Sequence, residues 1–385
     1  DKWDVQSGGK YYVIRNSSSI IAFEMPKKDF GAFMICASHT DSPSFKLKPD
    51  FEINADGCIK LSVEGYGGMI MSSWLDRPLS ISGRIVTAKN GKVETKLVNI
   101  DRDLLVIPSL AIHMSRDINK GYEFNIRRDM CPIASEKNGR IEDIIAENVG
   151  VDKEEILGFD LSLYNRMRGT VLGADGEYFS APRIDDLQCM YSTLEGFLNS
   201  ESDDNVTVFA AFDNEEVGSG TKQGAKSSFL RDVLERICNN SETYKRAVAK
   251  SFMLSCDNAH AVHPNFADKS DGTNRVYMNG GIVIKYNANQ RYTTDAVSEA
   301  VVKYVCKNAG VPYQMYANRS DIPGGSTLGN LSNEKVSLNT ADIGLAQLAM
   351  HSSYETAGSR DTEYMVKMIK EFYKTEIVLL MLYSA

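Results

Sequence analysis

The sequence predicts an α/β fold in which a central mixed sheet, flanked by helices, is interrupted by a β-rich insertion. Two observations predict it. After residue 183, nearly continuous apolar segments alternate with helical segments, which is typical of a sheet covered on both faces. Before residue 183, alternating apolar and polar residues and the turn pair Asn90-Gly91 indicate hairpins. We therefore predict one α/β domain, at residues 1–78 and 176–385, and a β-rich unit at residues 79–175.

The elements follow in chain order. Short strands are predicted at residues 11–14, 20–23 and 32–37, and the last of these ends in Ser38-His39-Thr40-Asp41. The insertion contains the hairpin around Asn90-Gly91, β structure over residues 104–114 and a short helix near residues 141–148. Beyond it, we predict strands at residues 206–212 and 252–256. Apolar residues at three- and four-residue steps predict helices at residues 184–198, 297–306 and 364–382.

The composition is that of a folded globular chain. Of the 385 residues, 43% are hydrophobic and 24% are charged, which argues against a disordered or coiled-coil chain. The net charge is −8, from 43 Lys and Arg against 51 Asp and Glu, and there is no dense basic run. A phosphate backbone would be repelled on average. The apolar stretch at residues 377–383 is far shorter than the roughly 20 residues that cross a bilayer. We expect neither nucleic acid nor a membrane as a partner.

The cysteines favour a reducing compartment. The seven of them lie far apart and include no C-x-x-C pair, so they do not predict a disulfide framework. No signal peptide is recognisable either, and we expect a cytoplasmic protein.

Acidic and imidazole side chains occur where predicted strands end or a helix begins. Because open α/β sheets place their sites at the carboxyl ends of strands, we expect these side chains to meet. The chain has only five histidines, so those at strand ends carry more weight than they would in a histidine-rich protein. The residues in question are His39, Asp41, Asp185, Asp186, Glu215, Glu216, Asp257 and His351.

Their chemistry predicts a catalytic metal site. Imidazole nitrogens and carboxylate oxygens without thiolates suit zinc, manganese or cobalt. Two histidines and three acidic ligands suffice for two ions that share one carboxylate, and such a pair can activate water and bind the carbonyl oxygen of a scissile amide. A carboxylate that is not a ligand must then accept the proton of the water, and Glu215 and Glu216 can divide these two tasks. Asp41 is expected to fix the ring of His39.

Longer motifs surround these residues: Ser38-His39-Thr40-Asp41, Trp74-Leu75-Asp76-Arg77-Pro78, Asp213-Asn214-Glu215-Glu216, Asp257-Asn258-Ala259-His260 and Gln347-Leu348-Ala349-Met350-His351. In this order, over nearly the whole chain, the sequence resembles the aspartyl aminopeptidase and aminopeptidase I family of dizinc metallopeptidases. The resemblance implies a zinc-exopeptidase fold, two divalent ions per subunit, peptide substrates and a dodecamer built from dimers. It makes residues 79–175 the oligomerisation domain. Family members normally have a further segment before the position of Asp1.

The resemblance also implies a role for each candidate. His39 and Asp257 bind one ion, Glu216 and His351 bind the other, Asp185 bridges them, Glu215 is the general base, His113 reaches a neighbouring subunit's site, and His260, Lys285 and Tyr292 contact the substrate. Two positions depart from the family pattern. The family often has Leu-Asp-Asn where this chain has Ile184-Asp185-Asp186, so either aspartate could bridge, and we favour Asp185. Ser109 replaces a second histidine of some members.

Three residues keep alternative interpretations. The turn at Gly324-Gly325 is either tight backbone only, or Gly325 offers an N–H group to the oxyanion or to the substrate backbone. His113 is either a substrate contact in a neighbouring site or a satisfied histidine of the β-rich unit. Lys285 follows an apolar run and needs a partner. An acidic N-terminal residue of the substrate is one such partner, and an internal carboxylate would instead leave a pocket for leucine-like residues.

Two rival functions share much of this pattern. A dizinc deacylase or carboxypeptidase has a similar ligand order, but its extra domain precedes the final histidine. Here the long gap lies between His39 and Asp185, which favours the aminopeptidase. The other rival is a non-catalytic scaffold that retains the site, and a full ligand set together with Glu215 speaks against it.

Overall fold

The computed structural model describes residues 3–137, 139–201, 204–238, 240–322, 324–325 and 327–377. In chain order the strands are β1 (Lys10–Arg15), β2 (Ser19–Glu24), β3 (Phe33–His39), β4 (Ser44–Ala55), β5 (Cys58–Tyr66), β6 (Leu79–Lys89), β7 (Lys92–Asn99), β8 (Ile133–Glu136), β9 (Ile156–Asn165), β10 (Thr170–Leu172), β11 (Tyr178–Ala181), β12 (Val206–Phe212), β13 (Phe252–Cys256), β14 (Ala259–His260), β15 (Ile282–Tyr286), β16 (Tyr313–Ala317), β17 (Asn339–Gly344), β18 (Ala346–Leu348) and β19 (Glu355–Gly358).

The α-helices are α1 (Ile126–Asp129), α2 (Ile141–Val149), α3 (Ile184–Leu198), α4 (Phe229–Ile237), α5 (Ser241–Lys250), α6 (Ala296–Ala309), α7 (Leu328–Asn333) and α8 (Asp361–Lys374). Short 3-10 turns cover Met71–Trp74, Ile118–Lys120, Lys153–Glu155, Glu215–Val217 and Ala267–Lys269. Within the described residues, no helix is both long and apolar enough to cross a membrane.

The central sheet is mixed, as predicted. Its eight strands lie in the order β1-β2-β12-β3-β13-β17-β15-β16. The inner strands β12, β3, β13 and β17 are parallel to one another, whereas β2 and β15 run antiparallel to their inner neighbours. The carboxyl ends of the parallel strands therefore meet at one edge of the sheet.

Both faces of this sheet are covered. All seven residues of β3 are buried, and they alternate between two cores because successive side chains of a strand point to opposite faces. Met34 packs in the core that includes Val302 of α6 and Met365 of α8. Ile35 packs in the core that includes Leu234 of α4. The near-continuous apolar pattern of the inner strands follows from this double burial.

A second, six-stranded sheet has its own core. Its order is β7-β6-β9-β4-β5-β8, and its core includes Phe45 and Trp74. The predicted hairpin at Asn90-Gly91 is confirmed as the β6–β7 connection, in which both turn residues have positive φ. The sheet begins at Ser44 rather than near residue 79, since it also includes β4 and β5. Alternating side chains indicate that these segments are strands but do not show which sheet they join. The assignment of residues 79–175 as an oligomerisation domain stays a prediction.

The remaining elements mostly agree with expectation. A third sheet has the order β10-β11-β19-β18-β14. The helices α2, α3 and α6 are where they were predicted. The predicted helix at residues 364–382 begins earlier, at Asp361, and ends at Lys374, and its predicted part beyond residue 377 lies outside the described residues. The prediction of β structure over residues 104–114 is wrong beyond Val106. There the chain leaves the sheet and exposes Leu110 and Met114. The seven cysteines are unpaired.

Candidate metal centre

Three parallel strands deliver four of the predicted site residues to one edge of the central sheet. His39 ends β3 and pairs with Phe212 at the end of β12. Glu215 and Glu216 follow β12 in a 3-10 turn, and Asp257 follows β13 directly. Adjacent parallel strands in register place their ends side by side, so these side chains converge.

Asp185 lies between the two histidines. Its Oδ1 atom is 3.5 Å from Nε2 of His39, and its Oδ2 atom is 3.5 Å from Nε2 of His351. Asp257 completes one side, with Oδ1 at 3.8 Å from Nε2 of His39. Glu216 completes the other, with Oε2 at 3.3 Å from Nε2 of His351. One carboxylate thus faces two separate imidazole–carboxylate pairs.

Asp186 bonds the backbone of His39, whereas its neighbour Asp185 faces the two histidine rings. Its Oδ2 atom accepts a hydrogen bond from the backbone N–H of His39 at 3.0 Å. Potential ligand atoms of Asp186 also come within 4.8 Å of those of His39, Asp185 and Asp257. The position of Asp185 between His39 and His351 nevertheless favours it as the bridging residue.

Both imidazole rings are oriented through Nδ1. In His39, Nδ1 lies 3.1 Å from the carbonyl oxygen of Asp41, and in His351 it lies 2.6 Å from that of Gly68. A carbonyl oxygen only accepts, so Nδ1 of each ring carries a proton. Nε2 faces the carboxylates, and once it loses its own proton its lone pair can bind a metal ion there.

Asp41 connects His39 to the glutamate pair. Its Oδ1 atom is 3.4 Å from Nδ1 of His39 and accepts the backbone N–H of Glu215 at 3.0 Å. Its Oδ2 atom accepts the N–H of Glu216 at 3.1 Å and the hydroxyl of Tyr66 at 2.6 Å. Burial raises the pKa of Asp41, but the contact with His39 outweighs it and lowers the pKa. The predicted contact with the His39 ring is thus present, and Asp41 also anchors both glutamates.

The donor set fits a divalent metal. Within the described residues, no hydrogen-bond donor reaches the buried atoms Oδ1 of Asp185 or Oε1 of Glu216. Buried carboxylate oxygens without donors are costly unless a cation compensates them. Burial and the charge of Asp185 raise the pKa of Glu216 to about 9. Burial lowers the pKa of His351, but the contacts with Asp185 and Glu216 outweigh burial and raise this pKa to about 9. Asp185, Glu216 and His351 are therefore among the residues that would hold a divalent metal ion.

A cavity of about 200 Å³ opens onto this cluster. Its lining joins the predicted metal ligands to the predicted substrate contacts. The predicted site residues that line it are His39, Asp185, Glu215, Glu216, Asp257, His260, Lys285, Tyr292, Gly325 and His351. It also includes Asn258, Tyr316, Thr327 and Met350, which the sequence analysis did not single out.

Lys285 is buried and has an internal partner. Its Nζ atom lies 3.4 Å from Oδ2 of Asp257 and donates to the carbonyl oxygen of Asn258 at 2.7 Å. It also lies 5.6 Å from the ring centroid of Tyr292. Gly344 leaves room for the Lys285 side chain and the backbone of Asp257. A Cβ at this position would lie 1.9 Å from the carbonyl oxygen of Asp257 and 3.2 Å from Cε of Lys285. Despite burial, the nearby Asp257 keeps the pKa of Lys285 above its ordinary value, so the cation stays charged.

His113 is not near the cavity of its own chain. It lies on the exposed segment after Ile107, between Ile112 and Met114, whose side chains are also exposed. This location fits a contact with another subunit, and the role of His113 stays a prediction. The role of Gly325 stays a prediction as well.

Glu355 is a supporting residue that the sequence analysis missed. Its two oxygens accept the backbone N–H groups of Asp185 at 3.0 Å and of His351 at 2.7 Å. Burial raises its pKa to about 7. No local pattern marks it, because it lies in the polar stretch Ser352-Ser353-Tyr354-Glu355, which looks like a solvated loop.

Comparison with known proteins decides the family. The model of "Aminopeptidase I zinc metalloprotease (M18)" matches residues 1–373. The chain belongs to this aminopeptidase I family of zinc metalloproteases. It is 45% identical over 391 residues to "Probable M18 family aminopeptidase 2" of Clostridium acetobutylicum, a match that covers 97% of this chain and 90% of that one. The protein of the same name from Pseudomonas aeruginosa is 38% identical over 383 residues, with 97% and 89% covered.

Solved structures of aminopeptidase I relatives share the fold. A chain in "Cryo-EM structure of the Ape4 and Nbr1 complex" superposes with a TM-score of 0.94 at 35% identity, covering 97% of this chain and 78% of that one. "Structure of S. cerevesiae mApe1 dodecamer" gives 0.81 at 29% identity, covering 95% and 85%. The predicted zinc-exopeptidase fold is confirmed. The M18 chain is a metal-dependent aminopeptidase, which removes the deacylase, carboxypeptidase and scaffold alternatives.

Proposed function

We propose that this aminopeptidase uses two zinc ions to remove single residues from the N-termini of peptides and prefers Asp or Glu at that position. One observation carries the two-ion proposal. The oxygens of Asp185 face Nε2 of His39 and Nε2 of His351 separately, each at 3.5 Å. A single ion would need only one of these two imidazole–carboxylate sets, whereas two ions sharing Asp185 use both.

The zinc ions would be held by five residues. His39 and Asp257 form one set, Glu216 and His351 form the other, and Asp185 belongs to both. Zinc supplies Lewis-acid chemistry at such a site, polarising the scissile carbonyl and lowering the pKa of water. Manganese or cobalt suits the same nitrogen and oxygen donors.

Glu215 is the proposed general base. It lines the cavity, and in contrast to Glu216 it makes no ion pair with a histidine among the described residues. Burial and the charges of Asp257 and Asp185 raise its pKa to about 7. A carboxylate of this basicity can accept a proton from the attacking water and pass it to the departing amine at neutral pH.

The acidic preference rests on the charge of Lys285. Lys285 and His260 both line the cavity. Lys285 keeps its charge because Asp257 lies beside it, whereas burial and the charge of Lys285 lower the pKa of His260. Once Asp257 shares its charge with a metal ion, less of it is left to offset Lys285. A carboxylate side chain of the substrate would then gain more from Lys285 than a neutral side chain would.

One observation favours a second candidate, a preference for leucine-like N-termini. Lys285 already has two polar partners in the protein, Oδ2 of Asp257 and the carbonyl oxygen of Asn258. If these contacts persist with metal bound, Lys285 has a structural role, and Met350 in the cavity lining meets the substrate side chain instead. The two candidates differ in the rank of Asp- and Leu-terminated peptides.

We further propose a homo-oligomer, a dodecamer built from dimers, in the cytoplasm. The exposed residues Leu110, Ile112 and Met114 surround His113 and form an apolar surface that a second subunit would cover. The S. cerevisiae relative is described as a dodecamer. In such an assembly His113 would contact the substrate in a neighbouring cavity, and residues 79–175 would form the subunit contacts.

Metal removal and substrate blocking test the proposed reaction. After thorough chelation, release of the N-terminal residue should stop, and zinc should restore it. An N-acetylated copy of the same peptide should not be cleaved, because an aminopeptidase needs the free amine. Activity that survives chelation, or that is equal on the acetylated peptide, would contradict the proposal.

A further inference from the structure

Asp342 is a fully buried carboxylate that the proposed reaction does not use. It lies on β17, between the apolar neighbours Ala341 and Ile343, and has no solvent exposure. A buried carboxylate is costly unless it is well hydrogen-bonded. Its hydrogen bonds therefore show what it holds in place.

The carboxylate joins two walls of the substrate cavity. One oxygen accepts the backbone N–H of Thr293 at 2.5 Å and its hydroxyl at 2.6 Å. The other accepts the hydroxyl of Thr327. Thr293 directly follows Tyr292, and both Tyr292 and Thr327 line the cavity. Asp342 thus fixes the two walls relative to each other.

The space around this carboxylate is closed. A Cβ on Gly329 would lie 2.9 Å from each carboxylate oxygen of Asp342 and 3.0 Å from the hydroxyl of Thr293. The glycine lets helix α7 approach the carboxylate directly. Water and mobile ions cannot screen a charge enclosed in this way, so its field reaches the cavity.

Lys285 lies beside Asp342 in the central sheet. In the antiparallel ladder of β15 and β17, Ile284 pairs with Ile343, so Lys285 and Asp342 occupy the next position along the same ladder. Two carboxylates therefore offset one cation at the substrate cavity.

We infer that Asp342 is a positioning residue that sets the specificity of this aminopeptidase. It fixes the Tyr292 and Thr327 walls, and its negative charge limits how strongly Lys285 attracts an acidic residue of the substrate. The inference rests on the proposed placement of Lys285 in the specificity pocket. It concerns a residue that does not itself touch the substrate.

Two substitutions separate the charge from the hydrogen bonds. In Asp342→Asn the amide oxygen can accept both groups of Thr293, while the amide N–H can donate to the Thr327 hydroxyl, so the shape is kept and only the charge is lost. Thr327→Val keeps the charge and removes one hydrogen bond of the wall. Thr294→Val is the matched control, since the Thr294 hydroxyl accepts the backbone N–H of Asp342 at 2.9 Å and does not bond its carboxylate.

The readouts are kcat/KM for Asp- and Leu-terminated tripeptides, zinc content and melting temperature of the zinc-loaded enzyme. Asp342→Asn should raise the Asp-to-Leu ratio on the order of tenfold at unchanged zinc content, as expected for a charge lost in a poorly screened site. Thr327→Val should raise KM for both peptides by the same factor. Thr294→Val should lower only the melting temperature.

An unchanged ratio in Asp342→Asn, or an equal shift in Thr294→Val, would overturn the inference and leave a merely structural carboxylate. If Asp342→Asn does not fold, Thr327→Val still decides, because an unchanged KM there contradicts the positioning role. Lys285→Met separates this inference from the proposed placement of Lys285. A ratio that changes in Lys285→Met and stays fixed in Asp342→Asn contradicts this inference alone, whereas a ratio that stays fixed in both variants contradicts the placement of Lys285 as well.

Discussion

The carboxylate of Asp41 accepts a hydrogen bond from the backbone N–H of Glu215 at 3.0 Å. The same carboxylate lies 3.4 Å from the ring of His39. One side chain therefore fixes a predicted metal ligand and the predicted base together. This link explains why a carboxylate two residues after His39 matters beyond the orientation of one imidazole.

Asp41→Asn should weaken both functions. An amide offers one acceptor where the carboxylate offers two, so one of the N–H groups of Glu215 and Glu216 loses its partner. We expect activity to fall about 10–100-fold, with a parallel loss of zinc affinity. Asp213→Asn is the control, since it removes a nearby carboxylate that accepts the N–H of Asn214. Steady-state kinetics and zinc titration of both variants check this. Equal effects in the two variants would contradict it.

Glu215→Gln and Glu216→Gln should have opposite signatures. The first keeps the shape and both ions but loses the proton acceptor, so turnover should fall on the order of 10²–10⁴-fold at nearly unchanged zinc content. The second should lose zinc, because Glu216 is the partner of His351. Metal analysis of the purified variants, combined with kcat, distinguishes them. The reverse pattern would mean that the two glutamates exchange roles.

Lys285→Met should change specificity more than stability of the metal site. The methionine keeps the length of the buried side chain and removes its charge, so the Asp-to-Leu ratio of kcat/KM should fall well over tenfold, to about the level of a neutral pocket. Lys303→Met, on the surface of α6, should leave the ratio unchanged. A ratio that does not move in Lys285→Met would assign Lys285 to the internal pairing with Asp257.

Zinc affinity should rise with pH. The pKa values of Glu216 and His351 are both raised to about 9 in the metal-free protein, so this pair holds protons at pH 7. Zinc binds only the deprotonated forms, and each displaced proton makes affinity rise about tenfold per pH unit below the raised pKa. Zinc titrations at several pH values, in buffers of different ionisation enthalpy, measure the protons released. No release near pH 7 would contradict these pKa shifts.

The predictable part of the fold came from short-range pattern. Buried strands such as β12 are continuous apolar runs, and a polar cluster directly after such a run lies at the catalytic edge of a parallel sheet. His39, Glu216 and Asp257 could be placed for that reason. The membership of β4 and β5 in the second sheet depends on contacts with β9 and β8, distant in sequence, and alternation carries no information about them.

The missed residues share one property. Glu355 and Asp342 are buried carboxylates whose partners are backbone N–H groups or threonine hydroxyls far away in the chain. Asp185 was recognisable because it belongs to the acidic pair Asp185-Asp186 where a predicted helix begins, whereas backbone donors leave no trace in the residue types of a sequence. His113 is different, because it was predicted from the sequence but its predicted partner lies outside its own chain.

The central claim is that two zinc ions share Asp185. The most direct measurement is anomalous diffraction at the zinc absorption edge from crystals of the zinc-loaded enzyme. The account predicts two peaks about 3.5–4 Å apart on either side of the Asp185 carboxylate, one near His39 and the other near His351. A single peak, or two peaks of which one is remote from Asp185, would contradict it.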